Sequence, residues 1–395
     1  MDKLYEISNR RLSIVPDNFR RFLFHELPND EKMIGIIGGR GTGKTTLLLQ
    51  VMRTKDLRKS LYVSLDHLYF TQNTLVDTAD QFVREGGLFL YLDEVHKYPN
   101  WSRELKNIYD NLPELKVMFT SSSALEIQKG KYDLSRRALI YELPGLSFRE
   151  YINLTYSTDF KKIKLEEIIE GNYTSFNEVM QKIRPYEYLD QYLKHGYYPF
   201  FMEGTETYAL RLQEVINHVI ETDLPAIERI DLMSVQKIKK LVYILGSMAP
   251  YTPNISKLAQ QLQSTRDSVL KYLYSLHKAH ILTWLTQDAW GINFLNKPDK
   301  LYLENSNIAY ALVPGHINTG TLRETFFLNQ VSQSHQVRLP KKGDFLVNDR
   351  YTFEVGGKNK TAKQIAGIPD GYVVSDTLEY GHGKQLPLWI FGFLY

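Results

Sequence analysis

The chain has 395 residues, more than one ordinary globular domain holds, and its 43% hydrophobic and 24% charged residues are typical of soluble globular proteins. Its formal net charge of +3 is too small to require a nucleic-acid partner, so any basic surface must be local. The sequence has no cysteine and no apolar run of about 18 residues, which excludes disulfides, thiolate metal sites and a membrane-spanning helix, and we expect a cytoplasmic protein.

The first 150 residues alternate short apolar runs with helical patterns. The runs consist of Ile, Leu, Val, Phe, Tyr and Met, and they lie at residues 33–37, 61–65, 88–92, 115–119 and 139–143. Runs of this kind are typical of strands buried on both faces, as in a parallel sheet covered by helices. The pattern therefore predicts an α/β domain over residues 1–150, with a parallel sheet and flanking helices.

The first run leads into GGRGTGKTT, which fits the phosphate-loop pattern G-x-x-x-x-G-K-S/T in full. Glycines let backbone N–H groups point at phosphate oxygens, and the start of the following helix adds positive potential. We expect Lys44 to bridge the β- and γ-phosphates of ATP and the Thr45 hydroxyl to bind Mg²⁺. A chance glycine-rich turn is the alternative. The predicted nucleotide-binding residues are Gly38, Gly39, Arg40, Gly41, Thr42, Gly43, Lys44, Thr45 and Thr46.

The third run leads into Asp93-Glu94, within GLFLYLDEVHKYPNW. In a chain that has a complete phosphate loop earlier in the sequence, an aspartate at a strand end can belong to the Mg²⁺ shell. The glutamate after it can polarise the attacking water. We therefore predict Asp93 as a metal residue and Glu94 as the residue that activates water. A capped strand end is the alternative, and we expect the nearby His96 to be structural.

Two further groups of polar residues follow the fourth run and precede the fifth. Thr120 or Ser121 is a candidate sensor of the γ-phosphate, and capping of the next helix is the alternative. Arg136 and Arg137 are candidates for neutralising charge in the transition state, in their own subunit or in a neighbour's. A solvated basic turn explains the two arginines equally well.

Taken in order, five segments resemble a prokaryotic group of AAA+ superfamily ATPases. The segments are the phosphate loop, LYLDEVHKYPNW, TSSSALEI, LSRRALIYELPGLSFREY and HGYYPF. In that group the ATPase is followed by a C-terminal domain of unknown function. The resemblance implies a parallel sheet in which the sensor strand lies between the phosphate-loop strand and the Asp-Glu strand. It does not indicate a biological role.

Beyond the first domain we predict a helical lid or linker at residues 151–250 and a winged helix-turn-helix at 251–315. Ser264 and Asp267 fit a capping box at the start of the second helix of the helix-turn-helix. Arg266, Lys271 and Lys278 are expected on its outer face. Residues 255–280 are therefore a candidate contact with DNA, and domain packing or protein contact is the alternative.

Residues 316–395 resemble the restriction-endonuclease-like core, an α+β fold in which carboxylates surround a metal. Glu324, Asp344 and Glu354 are a possible second metal site on this resemblance. The sequence departs from the pattern where Gly356 replaces the expected lysine, so Lys358 or Lys360 would have to reach in. Residues 338–363 carry a local basic surplus that fits a phosphate backbone or a solvated turn. A degenerate scaffold is the alternative to a nuclease.

These features predict a cytoplasmic, Mg²⁺-dependent ATPase that couples ATP binding and hydrolysis to the C-terminal winged-helix and nuclease-like module. DNA, a protein partner and a second copy of the chain remain candidate partners, and no membrane is expected. One alternative is a nucleotide-dependent switch or scaffold that hydrolyses slowly and acts by protein contact. Another is an ATP-assisted DNA nuclease.

Overall fold

The computed structural model describes residues 1–122, 134–171, 173–228, 230–248, 250–287, 298–313, 315, 317–357, 363 and 365–395. Lys358 and Lys360 lie outside the described residues. The chain divides into two compact units, Met1–Gly145 and Leu146–Tyr395. Within the described parts, no helix is long and apolar enough to cross a membrane.

The first unit alternates helices and strands along the chain. Its described helices are α1 (Asp2–Ile14), α2 (Phe22–Glu26), α3 (Lys44–Met52), α4 (Leu75–Arg84) and α5 (Trp101–Asn111). Its strands are β1 (Met33–Ile37), β2 (Ser60–Ser64), β3 (Phe89–Asp93), β4 (Lys116–Ser121) and β5 (Leu139–Glu142).

The five strands form one parallel sheet in the order β2-β3-β4-β1-β5. The sensor strand β4 thus lies between β1 and β3, which confirms the order that the family resemblance implied. One expectation was wrong: β5 is not buried on both faces, because it is an edge strand whose Leu139 and Ile140 are 43% and 37% exposed. Since the strands are parallel, their carboxyl ends meet at one edge of the sheet.

Alternate residues of the central strands enter two hydrophobic cores, one on each face of the sheet. Leu90 and Leu92 of β3 pack into the core that includes Phe82 of α4 and Leu105 of α5. Tyr91, between them in sequence, packs into the other core, with residues of α3. This period of two explains why the strands read as continuous apolar runs.

The second unit begins with helices and ends with a mixed sheet. Its described helices are α6 (Phe148–Tyr156), α7 (Leu165–Glu170), α8 (Tyr173–Lys182), α9 (Pro185–Gln191), α10 (Tyr208–His218), α11 (Leu224–Glu228), α12 (Leu232–Met248), α13 (Ile255–Gln261), α14 (Arg266–Lys278), α15 (Ser306–Leu312) and α16 (Thr319–Val331). Its strands are β6 (Leu282–Leu285), β7 (Lys300–Leu303), β8 (Val337–Arg338), β9 (Phe345–Val347), β10 (Tyr351–Gly356), β11 (Gly371–Ser375) and β12 (Gln385–Pro387).

The segment predicted as a winged helix-turn-helix contains the helices α13 and α14, followed by the antiparallel pair β6 and β7. That these elements form a winged helix stays a prediction. Val269, Leu273 and Leu276 of α14 are buried, as their helical spacing predicts. The predicted capping box was wrong. Thr265 caps α14, because its side chain accepts the N–H of Ser268.

The C-terminal sheet has the order β12-β11-β10-β9-β8 and confirms the predicted α+β architecture. Strands β8, β9 and β10 pair antiparallel, whereas β10, β11 and β12 pair parallel. Helix α16 packs on this sheet through Phe327, whose ring lies 5.1 Å from the rings of both Phe345 and Phe353.

Two of the segments behind the family resemblance are structural elements of the second unit. The buried amide of Asn307 accepts the Tyr197 N–H at 2.8 Å and the Tyr208 hydroxyl, and it donates to the carbonyl of Tyr192. Asn307 therefore fixes the HGYYPF segment. In LSFREY, Ser147 forms a capping box with Glu150 at the start of α6. Both segments satisfy buried polar groups, which is their structural role.

Candidate functional site

The phosphate loop joins β1 to α3 and is closed around the Lys44 side chain. Gly41 and Gly43 have φ of 83° and 93°, a left-handed conformation that favours glycine. A Cβ on Gly38 would lie 2.2 Å from the Leu143 carbonyl oxygen. The buried Lys44 Nζ donates to the carbonyls of Gly38 and Gly39, both at 2.9 Å. The loop therefore has the backbone geometry and the cation that bind phosphates.

Asp93, at the end of β3, is 4% exposed and accepts hydrogen bonds from three hydroxyl groups. Thr45 and Tyr62 each donate to Oδ2 at 2.8 Å, and Thr120 donates to Oδ1. Burial, and then the nearby Asp93 charge, raise the pKa of Tyr62, so its phenol stays protonated and remains a donor. The three donors fix the Asp93 carboxylate next to the Thr45 hydroxyl.

Thr120 joins the two acidic residues of the site. Its hydroxyl donates to Asp93 and accepts the Glu94 N–H at 3.1 Å. A hydroxyl has a single proton, so in this arrangement Thr120 has none to give a γ-phosphate. Its assignment as a γ-phosphate sensor stays a prediction, and its observed contacts are to Asp93 and Glu94.

Glu94 is the first residue after β3 and has φ of 54°, in the left-handed region. Its Oε1 accepts a hydrogen bond from the Ser122 hydroxyl at 2.9 Å, and its Oε2 lies 3.4 Å from Nε2 of His96. The Glu94 side chain is 23% exposed, whereas that of His96 is 4% exposed. The carboxylate is therefore contacted from two sides while part of it remains accessible.

A buried arginine supports the phosphate loop from behind. Arg21, 5% exposed, donates to the Thr42 carbonyl at 2.6 Å and to the carbonyls of Pro144 and Gly145 at 2.8 Å. A guanidinium presents several donors in a rigid plane and can hold separate carbonyls at once. Arg21 thus ties the loop to the segment that follows β5.

The two predicted arginines lie away from this loop in the same chain. They precede β5, whose first residue Leu139 pairs with Ile34 near the start of β1. The phosphate loop follows the other end of β1, about 10 Å further along the sheet at about 3.3 Å per residue. Arg137 pairs instead with Asp110, at 2.8 and 2.9 Å. The structure does not bring Arg136 or Arg137 to the phosphate loop of their own chain.

The possible second metal site at Glu324, Asp344 and Glu354 is not assembled. Among the residues that the structure describes, no three His, Cys, Asp or Glu side chains are grouped as metal ligands. The reason lies in their partners. Glu324 accepts hydrogen bonds from Lys300 and from a tyrosine hydroxyl, both at 2.8 Å, and Asp344 accepts the Val355 N–H at 2.8 Å. A second metal site there stays a prediction without support from the described residues, and the degenerate scaffold remains its alternative.

The residues around the phosphate loop fit ATP and Mg²⁺. Mg²⁺ prefers oxygen ligands and is usually held by one or two protein groups together with phosphates and water. The Thr45 hydroxyl and the Asp93 carboxylate, 2.8 Å apart, supply such oxygens beside a phosphate-binding loop. Arg40, within the loop, and Thr46, in the first turn of α3, are half-buried, and their role in nucleotide binding stays a prediction.

The sequence alone did not indicate Tyr62, Ser122, His96 or Arg21 as parts of the site. Tyr62 lies in the middle of β2, and its contact with Asp93 follows from the pairing of β2 with β3. Ser122 was within reach of sequence reasoning, since it belongs to the serine run at the end of β4. His96 was expected to be structural, and Arg21 carries no local signal that separates it from an ordinary surface residue.

Comparison with known proteins gives two family models that match parts of the chain. Residues 30–152 match the family model described as an AAA domain, and residues 186–319 match a domain of unknown function, DUF8612. The chain is 28% identical over 376 residues to the uncharacterized protein MJ1637 of Methanocaldococcus jannaschii, covering 86% of this chain and 78% of that protein.

Among solved structures, the chain is similar to AMPPCP-bound DnaA from Aquifex aeolicus, at 15% identity over 70% of this chain and 88% of that one, with a TM-score of 0.26. It is also similar to PCH-2 of C. elegans, at 19% identity over 40% of this chain and 44% of that one, with a TM-score of 0.24. What the comparisons show is a similarity of residues 30–152 to an AAA domain and of residues 186–319 to a domain of unknown function.

Proposed function

We propose that this chain is a cytoplasmic, Mg²⁺-dependent ATPase whose AAA domain binds and hydrolyses ATP. One observation carries the proposal. Thr45, Asp93, Thr120 and Glu94 form a continuous hydrogen-bonded chain beside the phosphate loop. This series of hydrogen bonds holds a metal-binding pair and a potential general base in one place. Hydrolysis requires both, whereas simple nucleotide binding does not.

Each residue has a distinct task in this proposal. The Lys44 ammonium exchanges its two carbonyl partners for phosphate oxygens and offsets their charge. Thr45 and Asp93 hold Mg²⁺, which draws negative charge from the phosphate oxygens when bound. The Glu94 carboxylate orients a water molecule and accepts its proton as the water attacks. Arg21 keeps the loop in shape through the Thr42 carbonyl.

Two substitutions test hydrolysis. Lys44→Ala should abolish tight ATP binding, because the loop loses its buried cation. Glu94→Gln should keep ATP binding and lose turnover, because an amide cannot accept the proton whereas Asp93 is unchanged. Lys59→Ala, at an exposed lysine before β2, is the matched control. Phosphate release and titration with a fluorescent ATP analogue measure both effects. Wild-type turnover in Glu94→Gln would remove Glu94 from this role.

The arginines are proposed to act in a neighbouring subunit of a homo-oligomer. The distance of Arg137 from its own loop supports this, as does the exposed edge strand β5. Arg137→Ala should lower turnover with little change in ATP affinity. Mixing it with Lys44→Ala protein should restore activity, since each partner supplies what the other lacks.

The pairing of Arg137 with Asp110 provides the control for this mixing experiment. Asp110→Asn removes the ion pair and keeps the arginine. If Asp110→Asn lowers turnover as much as Arg137→Ala, the arginine acts by holding its own domain together, and the proposal of a shared site fails.

DNA contact through α14 is a second proposal, supported by the exposure of Arg266 and Lys271 on the second helix of the helix-turn-helix. With about three phosphate contacts, affinity for duplex DNA should fall about fortyfold between about 50 and about 200 mM salt. Lys271→Glu combined with Lys278→Glu should remove most binding, as measured by fluorescence anisotropy. No binding at about 50 mM salt would favour protein contact and the nucleotide-switch alternative.

A further inference from the structure

We infer that Ser122 and His96 are positioning residues that hold the Glu94 carboxylate in one direction for its work on water. The family match gives neither residue a role, and the sequence predicted only a structural role for His96. The inference rests on the proposed ATP hydrolysis and adds to it two residues that set the orientation of the base.

The backbone of Glu94 is the first part of the argument. A non-glycine residue in the left-handed region is uncommon and costs about 1 kcal/mol or more, so the surroundings must maintain it. Here the Glu94 N–H donates to Thr120, a fully buried side chain at the end of the neighbouring strand. Strand β4 thus fixes the backbone position of Glu94, and with it the position of the Cα atom that carries the side chain.

The side chain is then contacted at both carboxylate oxygens, by a hydrogen bond at Oε1 and by a 3.4 Å approach of an imidazole nitrogen at Oε2. Ser122 follows β4 and donates to Oε1, and His96 lies in the turn after β3 with Nε2 facing Oε2. The two contacts come from different segments of the sheet edge, so they restrain rotation of the carboxylate. A carboxylate oxygen can accept more than one hydrogen bond, so both oxygens keep capacity for a water molecule.

The expected consequence is a change in rate without a change in binding. A carboxylate that is 23% exposed and unrestrained would sample several rotamers, and few of them would direct an oxygen at the attacking water. Nucleotide affinity depends on the phosphate loop, to which neither Ser122 nor His96 contributes a hydrogen bond among those described. The two residues should therefore affect kcat and leave the Kd for ATP unchanged.

The experiment pairs each deletion with a variant that restores the donor. Ser122→Ala removes the hydroxyl and Ser122→Thr keeps it, whereas His96→Leu removes the imidazole that contacts Oε2 and His96→Gln returns a polar group near the position of Nε2. We expect Ser122→Ala to lower kcat about 10-fold, the effect of losing about one hydrogen bond to a charged group. We expect His96→Leu to lower kcat by a smaller factor, because the 3.4 Å approach of Nε2 to Oε2 is a contact and not a hydrogen bond. Ser122→Thr and His96→Gln should recover most of the rate. Single-turnover hydrolysis and titration with a fluorescent ATP analogue give kcat and Kd.

The outcomes separate this inference from the proposed function. If the wild-type chain hydrolyses ATP but Ser122→Ala and His96→Leu retain its kcat, the inference fails and the proposed function stands. A higher kcat in either variant also overturns it, because the contacts would then restrain an inactive orientation. A wild-type chain without turnover overturns both. In a Glu94→Gln background the same changes should have no further effect on the residual rate, and a further loss there would show that they act elsewhere.

Discussion

Replacing Thr120 with valine removes one hydroxyl group from the centre of the site and keeps the volume of the side chain. That hydroxyl donates to Asp93 and accepts the Glu94 N–H at 3.1 Å. Thr120 is 0% exposed, so solvent cannot take the place of the lost group. The substitution therefore leaves a buried carboxylate oxygen with one donor fewer and a backbone N–H without this acceptor.

The magnitude follows from the two lost partners. A hydrogen bond to a charged group contributes about 1.5–3 kcal/mol, and leaving an N–H unsatisfied costs about 1 kcal/mol or more. Because the two effects share one hydroxyl, we expect the free energy of unfolding of the first unit to fall by about 3 kcal/mol. At about 2–4 °C per kcal/mol for a unit of this size, Tm should fall by roughly 6–12 °C.

Thermal melting of the full chain, combined with hydrogen exchange of peptides that contain β4, measures this loss and locates it in the first unit. Thr120→Ser is the matched control, since it keeps both hydrogen bonds and loses one methyl group, at a cost of about 1 kcal/mol. Equal stability of the valine and serine variants would refute the reasoning, because the hydroxyl would then contribute nothing in this position.

Three further predictions concern other parts of the chain. Gly38→Ala should abolish ATP binding in a fluorescence titration, because the new Cβ would lie 2.2 Å from the Leu143 carbonyl oxygen. The control is Gly86→Ala, which is also at positive φ but has no atom within 4 Å of its Cβ. This control should leave ATP binding intact. Asn307→Leu should lower the free energy of unfolding by about 3 kcal/mol or more in guanidinium titrations, since it leaves several buried groups unpaired. If Asn307→Leu lowers the free energy of unfolding no more than a substitution at an exposed position does, the proposed role of Asn307 is contradicted. The free energy of unfolding should also fall above about pH 10, because burial raises the pKa of several tyrosines. The folded chain then keeps phenol protons that the unfolded chain loses. Each such tyrosine lowers the free energy of unfolding by about 1.4 kcal/mol per pH unit. A free energy of unfolding that is flat between about pH 9 and about pH 11 would contradict this. These tyrosines include Tyr192, Tyr197, Tyr198 and Tyr208.

The sequence by itself determined the local elements of the AAA domain. The predicted strand at residues 33–37 coincides with β1, and the other four lie within two residues of their predicted bounds. Strands buried on both faces and a glycine-rich loop leave strong local patterns, because each residue in them is constrained by its own conformation and burial. The same reasoning found the two helices α13 and α14 but misplaced the cap of α14 by one residue, since Ser264 and Thr265 are chemically alike and local sequence does not decide between them.

Only the tertiary structure decided which side chains meet. Tyr62 reaches Asp93 because β2 pairs with β3, and Arg137 is remote from its own phosphate loop because it precedes β5 rather than follows it. Likewise, the spacing of Glu324 and Asp344 resembled that of a metal site, yet each carboxylate has other partners. Spacing along a chain sets which residues can be neighbours within one element. Contacts between elements depend on strand order, register and the direction of each side chain, and these follow from packing of the whole unit.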